Sequence, residues 1–250
     1  MSISTQSLNE LLENGFTLVR GAVAPQLVDN AVQTINHRLG QGFSTDELVK
    51  FSAQTFFPEL RDQPVLTDLF NASGVHETLE TLLGEGNVPR AGAGQLALRF
   101  PREVGTLPQD PRPHIDGVYT PTNGVPQGTL GSFTALVGVF LTDIARDFAG
   151  NLAVWPRSHR KMEAFFRKNG VEELMKGGKI PDLDYGPPQQ IQAQAGDVVI
   201  AHYQLLHGVT MNLAPFPRYA VFFRVTHPMH SQNRRECLTN LWLEWPGAQE

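Results

Sequence analysis

The sequence predicts a mainly β protein with flanking α-helices, on two observations. The first third carries apolar residues at helical spacing, whereas from Gly94 onward the pattern breaks into short apolar runs. Gly, Pro, Asn and Asp separate those runs, which favours an antiparallel sandwich or barrel over alternating βαβ units.

The elements follow in order. Leu8, Leu11 and Leu12 share one helical face, and the Asn14-Gly15 break precedes a short apolar strand at residues 16–19. Pro25 suits a first helical turn; Leu27, Val28, Ala31, Val32, Ile35 and Leu39 follow at helical spacing until Gly40. Ser73 opens another helix through Val75, Leu79, Leu82 and Leu83, stopped by Gly84. These helices are expected to wrap a sheet. Strands are expected at residues 95–100, 132–141, 152–155, 191–193, 197–203 and 219–225. Residues 101–113 and 117–131 read as loops placed to gate a pocket. The sequence contains no internal repeat and no low-complexity tract.

With 250 residues and 41% hydrophobic content the chain can bury a full core, and without a composition break it reads as one domain. A net charge of -5 and the lack of any long Lys/Arg block argue against nucleic acid or an anionic membrane as partner, and for a small-molecule substrate. Cys237 stands alone, which excludes an intrachain disulfide framework and argues against a cysteine-based zinc site. Ser, Gln, Asn and Glu interrupt the first twenty residues, so they fit neither a signal peptide nor a membrane span. The expected location is the cytoplasm.

Two fragments carry the chemistry. In Pro113-His114-Ile115-Asp116-Gly117 one residue separates imidazole from carboxylate, so in an extended backbone both side chains project to the same side. Near the end, Gly196-Asp197 starts an apolar strand, Leu206-His207-Gly208 follows it, Asn212 comes next, and Arg218 opens another apolar run eleven residues after His207. Two imidazoles and one carboxylate form the set that holds non-haem Fe(II) on one octahedral face and leaves the other open. Taken alone, His114 and Asp116 fit a surface turn and His207 a hydrogen-bonded turn; their joint occurrence favours a metal centre. A guanidinium binds a carboxylate through two parallel hydrogen bonds, so Arg218 suits the distal carboxylate of a dicarboxylate cosubstrate chelated to that iron.

This constellation resembles the phytanoyl-CoA dioxygenase family of Fe(II)/2-oxoglutarate oxygenases, over most of the chain. Residues 11–19 are similar to that family's helix-Gly-strand entry, Pro113-His114-Ile115-Asp116 to its proximal ligand motif, and residues 150–159 to its strand and Pro-Gly-Ser-His turn. Gly196-Asp197-Val198-Val199 through His207-Gly208, Asn212 and Arg218 completes the match. The resemblance implies a double-stranded β-helix (a jelly-roll, cupin-like barrel) over residues 94–228, with a mainly helical flank at 1–93 and a C-terminal extension at 229–250. It further implies His114, Asp116 and His207 on iron and Arg218 on 2-oxoglutarate, with Fe(II), 2-oxoglutarate and O2 as the reacting set. Such an enzyme decarboxylates 2-oxoglutarate to succinate and hydroxylates a C–H bond; desaturation, epimerisation and ring formation use the same cofactors. Asp116 fills the third ligand position, so no vacancy is left for halide and halogenation is disfavoured. A non-catalytic binding module, or a cupin-like metal protein that ignores 2-oxoglutarate, is the alternative of a different class.

Two positions depart from the family pattern: Arg157 stands where the turn usually has Gly, and Val209 where relatives often carry a small hydroxyl residue. Thr134 matches a strand position that contributes a cosubstrate contact in relatives. Gln95 and Arg99 share one face of a strand and fit either the pocket wall or an exposed surface. Arg224 shares strand parity with Arg218 and reads as a second pocket cation or a solvated charge. His159 is expected in a structural hydrogen bond, and His202, five residues before His207, on the opposite face of a continuous strand. His37, His76, His227 and His230 receive no role. Residues 157–179 hold seven basic side chains against Glu163, Glu172 and Glu173; they either steer an anionic substrate or coat the outer face of a helix packed through Met162, Phe165 and Phe166. Oligomeric state is not legible.

Overall fold

The computed structural model describes residues 3–120, 123–172 and 180–249, with residues 52 and 53 described by backbone alone. Helix α1 (Thr5–Asn14) starts where the Ser4 hydroxyl accepts the Ser7 N–H, and Gly15 ends it before strand β1 (Phe16–Val19). Helix α2 (Pro25–Gly40) buries Val28, Ala31 and Ile35, the stripe expected from its spacing. Two helices were not foreseen. Helix α3 (Thr45–Ala53) opens on a capping box between Ser44 and Glu47, and α4 (Pro64–Asn71) opens on Pro64 and buries Leu66, Leu69 and Phe70. Helix α5 (Gly74–Leu83), capped by Ser73, buries Val75, Leu79, Leu82 and Leu83.

The remaining strands are β2 (Gln95–Arg99), β3 (Ala135–Phe140), β4 (Leu152–Val154), β5 (Gln189–Gln190), β6 (Val198–His202), β7 (His207–Val209) and β8 (Arg218–Val225). They pair antiparallel in two sheets, ordered β1-β6-β3-β8-β2 and β5-β4-β7. Among the described residues these sheets do not close into the expected barrel. The strand expected at residues 191–193 is displaced to Gln189–Gln190. Just beyond it the Ile191 N–H donates to the Leu152 carbonyl (2.8 Å), and the Ile191 carbonyl accepts from the Asn151 side-chain amide (3.0 Å).

The large sheet is covered on both faces, which explains why β3 and β6 are buried at every position. On one face Ala135, Val137, Val139, Val198, Ile200, Val221 and Phe223 join the helix side chains in one apolar cluster. On the other, Leu136, Phe140, Val199, Ala201 and Ala220 meet Leu152, Ala153 and Val154 of the small sheet. Strand alternation therefore turns the even-numbered residues of β8 toward the small sheet, Arg218 and Arg224 among them.

The C-terminal segment is fastened to this framework. Helix α6 (Ser158–Asn169) buries Met162 and Phe166, and the short α7 (His230–Asn233) brings His230 into a buried network. There Glu244 accepts from His230 Nδ1 (2.8 Å) and from the Thr134 hydroxyl (2.6 Å), while Ser132 Oγ lies 2.9 Å from His230 Nε2. Burial acts to raise the Glu244 carboxyl, but hydrogen bonds from His230 and Thr134 outweigh it and hold the group below its ordinary value. Nearby, His159, His202, Trp242 and Trp245 pack ring against ring.

Burial pushes His202 down to about 4 and His159 down to about 3, from an ordinary 6.5. Below pH 6.5 the unfolded chain takes up protons that the folded chain refuses, so stability falls on acidification through that window and stops falling on this account only near pH 4 to 3. Chemical denaturation between about pH 7.5 and about pH 5.5 is expected to show the onset of the decline, above the range in which carboxylates such as Glu244 contribute. His159→Phe is expected to flatten it; an unchanged slope would contradict the assignment.

Candidate metal centre

The centre is built where one loop pairs with the edge of the small sheet. Strand β7 pairs with β4 on one side, and on the other the His114 N–H donates to the His207 carbonyl (2.9 Å) while the His207 N–H donates to the His114 carbonyl (3.0 Å). Gly208 permits this approach, because a Cβ there would stand 2.5 Å from the Arg112 carbonyl oxygen. The residue before His207 is held as well: Leu206 N–H donates to Ser158 Oγ (2.8 Å) and its carbonyl accepts from Trp155 N–H (2.9 Å). Arg157, in the same turn, keeps the left-handed backbone that glycine would adopt freely, with φ 67°, and its side chain pairs with Glu13.

Asp116 Oδ1 lies 3.6 Å from His114 Nε2 and 3.7 Å from His207 Nε2, and the imidazole rings are 4.5 Å apart at their centroids. His207 Nδ1 lies 3.1 Å from the Leu205 carbonyl, so that nitrogen carries the proton and Nε2 presents a lone pair to the centre. Two imidazole nitrogens and one carboxylate oxygen thus converge at separations too long for hydrogen bonds, an arrangement that a cation satisfies; donors bonded to one ion at ~2.1 Å and right angles stand ~3 Å apart. The trio fits a metal, with His114 open to the cavity and the other two side chains largely covered. The second oxygen of Asp116 is taken by Arg224, whose Nη2 lies 2.7 Å and Nε 3.0 Å away, and the Tyr203 hydroxyl donates to the Asp116 carbonyl (3.1 Å). Burial acts to raise the Asp116 carboxyl; the facing imidazoles, when they carry protons toward it, and the Arg224 guanidinium hold it well below its ordinary value.

Arg218 lies deeper. It is 3% exposed, donating from Nε to the Gly150 carbonyl (2.7 Å) and from Nη1 to the Ala97 carbonyl (3.0 Å), and no carboxylate pairs with it among the described residues. Burial, then the like charge of Arg99, pushes it down to about 9. Arg99 and Arg218 are register partners across β2 and β8, and Gly150 leaves room for both: its Cβ would stand 2.9 Å from Arg99 Cβ and 3.3 Å from Arg218 Cβ. Like charges directly opposite destabilise a sheet, so this pair creates a buried demand for an anion.

The centre opens into two adjoining hollows, of about 1240 Å³ and about 580 Å³, which share Arg99, Arg112 and His114. Asp116, Gln95 and Arg224 line the larger, Val209 and Thr210 the smaller. The Gln95 amide donates to the Gln54 carbonyl. Thr134 is placed elsewhere, with its hydroxyl donating to Glu244 and accepting from His227 N–H. Asn212 is a fastener that donates to the Arg99 and Phe216 carbonyls.

The other expectations divide. Contrary to the hydrogen bond expected of it, His159 has neither ring nitrogen at hydrogen-bonding geometry. His202 is not on a strand continuous with His207, because β6 ends at His202; it bonds Leu241 O and Gln204 N–H. The basic residues of α6 lie on its outer side: Arg160 donates to the Leu12 carbonyl, and Arg167 pairs with Glu163 and donates to the Thr239 carbonyl. None lines either hollow, while Met162 and Phe166 pack inward. Lys176 and Lys179 lie outside the described residues. Sequence reading missed the buried set of Ser132, His230 and Glu244, whose members are too far apart in the chain to leave a local signal.

Antiparallel sheets carrying a His-Asp-His centre beside an unneutralised buried guanidinium define the non-haem Fe(II)/2-oxoglutarate class of enzyme. The sequence matches the family model for phytanoyl-CoA dioxygenase over residues 11–220, and the chain belongs to that family. Sequence comparison with curated proteins gave no significant match. Similar solved structures include HygX from Streptomyces hygroscopicus with nickel and 2-oxoglutarate bound (16% identity, TM-score 0.56, covering 91% of this chain and 88% of HygX). EctD from S. alaskensis in its apoform is similar at 15% identity and TM-score 0.57, over 90% of this chain and 77% of EctD. SnoN, a non-haem α-ketoglutarate-dependent epimerase from nogalamycin biosynthesis, is similar at 17% and 0.54, over 87% and 78%. At these identities the likeness establishes a shared fold. No helix among the described residues is long and apolar enough to cross a membrane.

Ser158→Ala removes the acceptor of Leu206 N–H without touching a ligand side chain. It is expected to weaken Co(II) binding about tenfold, as loss of an orienting group beside a metal site does. Wild-type Co(II) affinity would show that Ser158 does not position His207.

Proposed function

We propose that His114, Asp116 and His207 hold Fe(II), that Arg218 receives the distal carboxylate of 2-oxoglutarate, and that the protein hydroxylates an unactivated C–H bond of a small molecule. The single observation behind this reading is the convergence of two imidazole Nε2 atoms and one carboxylate oxygen beside a buried guanidinium that no carboxylate pairs among the described residues. Iron with 2-oxoglutarate and O2 would supply the oxidising power, with 2-oxoglutarate leaving as succinate and CO2. The chain's own contribution is placement. The Nδ1 proton of His207 is fixed on Leu205, Arg224 holds the outer oxygen of Asp116, and the Gly150 and Ala97 carbonyls aim the rest of the Arg218 fork. Ile115, Val118 and Phe222 line the larger hollow and keep water from the reacting carbon.

Substrate placement decides between hydroxylation and related outcomes, and the fold neighbours span an epimerase and a carbocyclase, so epimerisation and ring closure are the second reading. In this proposal the two sheets are the halves of a double-stranded β-helix within one domain over residues 1–250, working in the cytoplasm. The intact trio speaks against a non-catalytic binding module.

Asp116→Ala removes the anionic ligand and is expected to abolish Fe(II)-dependent succinate release from 2-oxoglutarate; wild-type release would overturn the ligand assignment. Loss of a buried charged partner costs ~2–5 kcal/mol, so Arg218→Ala is expected to weaken 2-oxoglutarate binding by about 30-fold or more. Arg218→Lys rescues poorly, lacking the planar fork. An unchanged 2-oxoglutarate titration in Arg218→Ala would move the anchor to Arg99 or Arg224.

A further inference from the structure

The larger hollow has a charge pattern opposite to that of the chain. The protein carries a net charge of -5, yet Arg61, Arg99, Arg112 and Arg224 line this hollow, and among the described residues its only carboxylate is Asp116. Arg224 is spent on Asp116. Neither Arg61 nor Arg112 has a side-chain hydrogen bond or ion pair among the described residues, and both are exposed at the wall. The adjoining smaller hollow adds Arg102 and one carboxylate, Asp110, which forms no ion pair among the described residues.

Charge balance makes this surplus specific. This step rests on the iron and 2-oxoglutarate reading above. The two charges of Fe(II) cancel those of 2-oxoglutarate, and Asp116 is balanced by Arg224, which leaves Arg218, Arg99, Arg61 and Arg112 without compensation. Arg218 and Arg99 stand together at the cosubstrate end. Arg112 lies two residues before His114 in the loop at 101–113, and Arg61 lies on the segment leading into α4, so the remaining two reach the hollow from separate segments. The same wall carries the apolar side chains Ile115, Val118, Val125 and Phe222, beside the polar Gln95, Thr120 and Asn123.

We propose that the larger hollow is a binding site for an anionic substrate with an apolar body, whose carboxylate or phosphate is received by Arg112 and Arg61 while its apolar part lies toward His114 and Phe222. Guanidinium groups suit both anions through paired N–H donors, and a cavity lined by one sign of charge concentrates the opposite ion. The basic surplus of α6 plays no part, since its residues lie outside the hollow.

The test is calorimetric titration of protein loaded anaerobically with Fe(II) and 2-oxoglutarate, using phenyl phosphate, benzoate, benzyl alcohol and benzylamine at matched ionic strength. The two anions are expected to bind at least about tenfold tighter than the alcohol, the amine not at all, and anion affinity to fall as salt rises. The variant carrying Arg61→Gln and Arg112→Gln is expected to lose the anion preference about tenfold while Fe(II) and 2-oxoglutarate affinities stay as in wild type. Equal binding of alcohol and anions would overturn the proposal, as would a double variant that keeps the preference. A preference lost only in Arg218→Ala would assign the anion to the cosubstrate end and overturn it too. If the wild-type protein binds neither Fe(II) nor 2-oxoglutarate, the proposed function fails by itself, and the same comparison of wild type with the double variant, made without them, still decides the anion site.

Discussion

The centre depends on the pair of backbone hydrogen bonds between His114 and His207. Neither segment is placed by its own regular structure, since β7 is three residues long and the loop before His114 contributes single bridges. Pairing the two backbones sets the imidazoles side by side, and the one-residue spacing to Asp116 then brings the carboxylate to both. Much of the nearby sequence serves that contact. Gly208 lets the loop approach, Ser158 and Trp155 hold Leu206, and Arg157 keeps a left-handed backbone that disfavours any side chain, so that the turn closes onto α6.

Strand β8 joins fold and chemistry. Its odd residues bind the sheet to the helices, while its even residues place Arg218, Phe222 and Arg224 on the opposite side. A strand clamped by apolar packing on one face holds charged groups at fixed positions on the other, including an Arg opposite an Arg that stability alone would not favour. The arginines divide by environment: Arg218 is anchored by two carbonyls and buried, Arg224 is tied to Asp116, and Arg61 and Arg112 remain open.

What was legible in the sequence rested on local signals. The His114 and Asp116 pair is one strand period apart, Arg218 opens an apolar run, and α1, α2 and α5 carry both stop signals and stripes. Helices α3 and α4 had signals as well, a Ser44–Glu47 capping box and Pro64 ahead of Leu66, Leu69 and Phe70, which periodicity alone did not weigh. Strand β7 was illegible because three residues cannot show alternation. The network of Thr134 with Glu244 was illegible for a different reason: its partners are 110 residues apart, and only tertiary structure unites them. The basic run after Arg157 drew attention because it is contiguous, whereas the cavity's arginines are scattered over four segments that only the fold brings to one wall.

A crystal structure of the protein grown anaerobically with Fe(II) and 2-oxoglutarate tests the central claim most directly. The account predicts one ion bonded to His114 Nε2, Asp116 Oδ1 and His207 Nε2, chelated by 2-oxoglutarate whose far carboxylate meets the Arg218 guanidinium. Iron bound elsewhere, or 2-oxoglutarate bound away from Arg218, would contradict it.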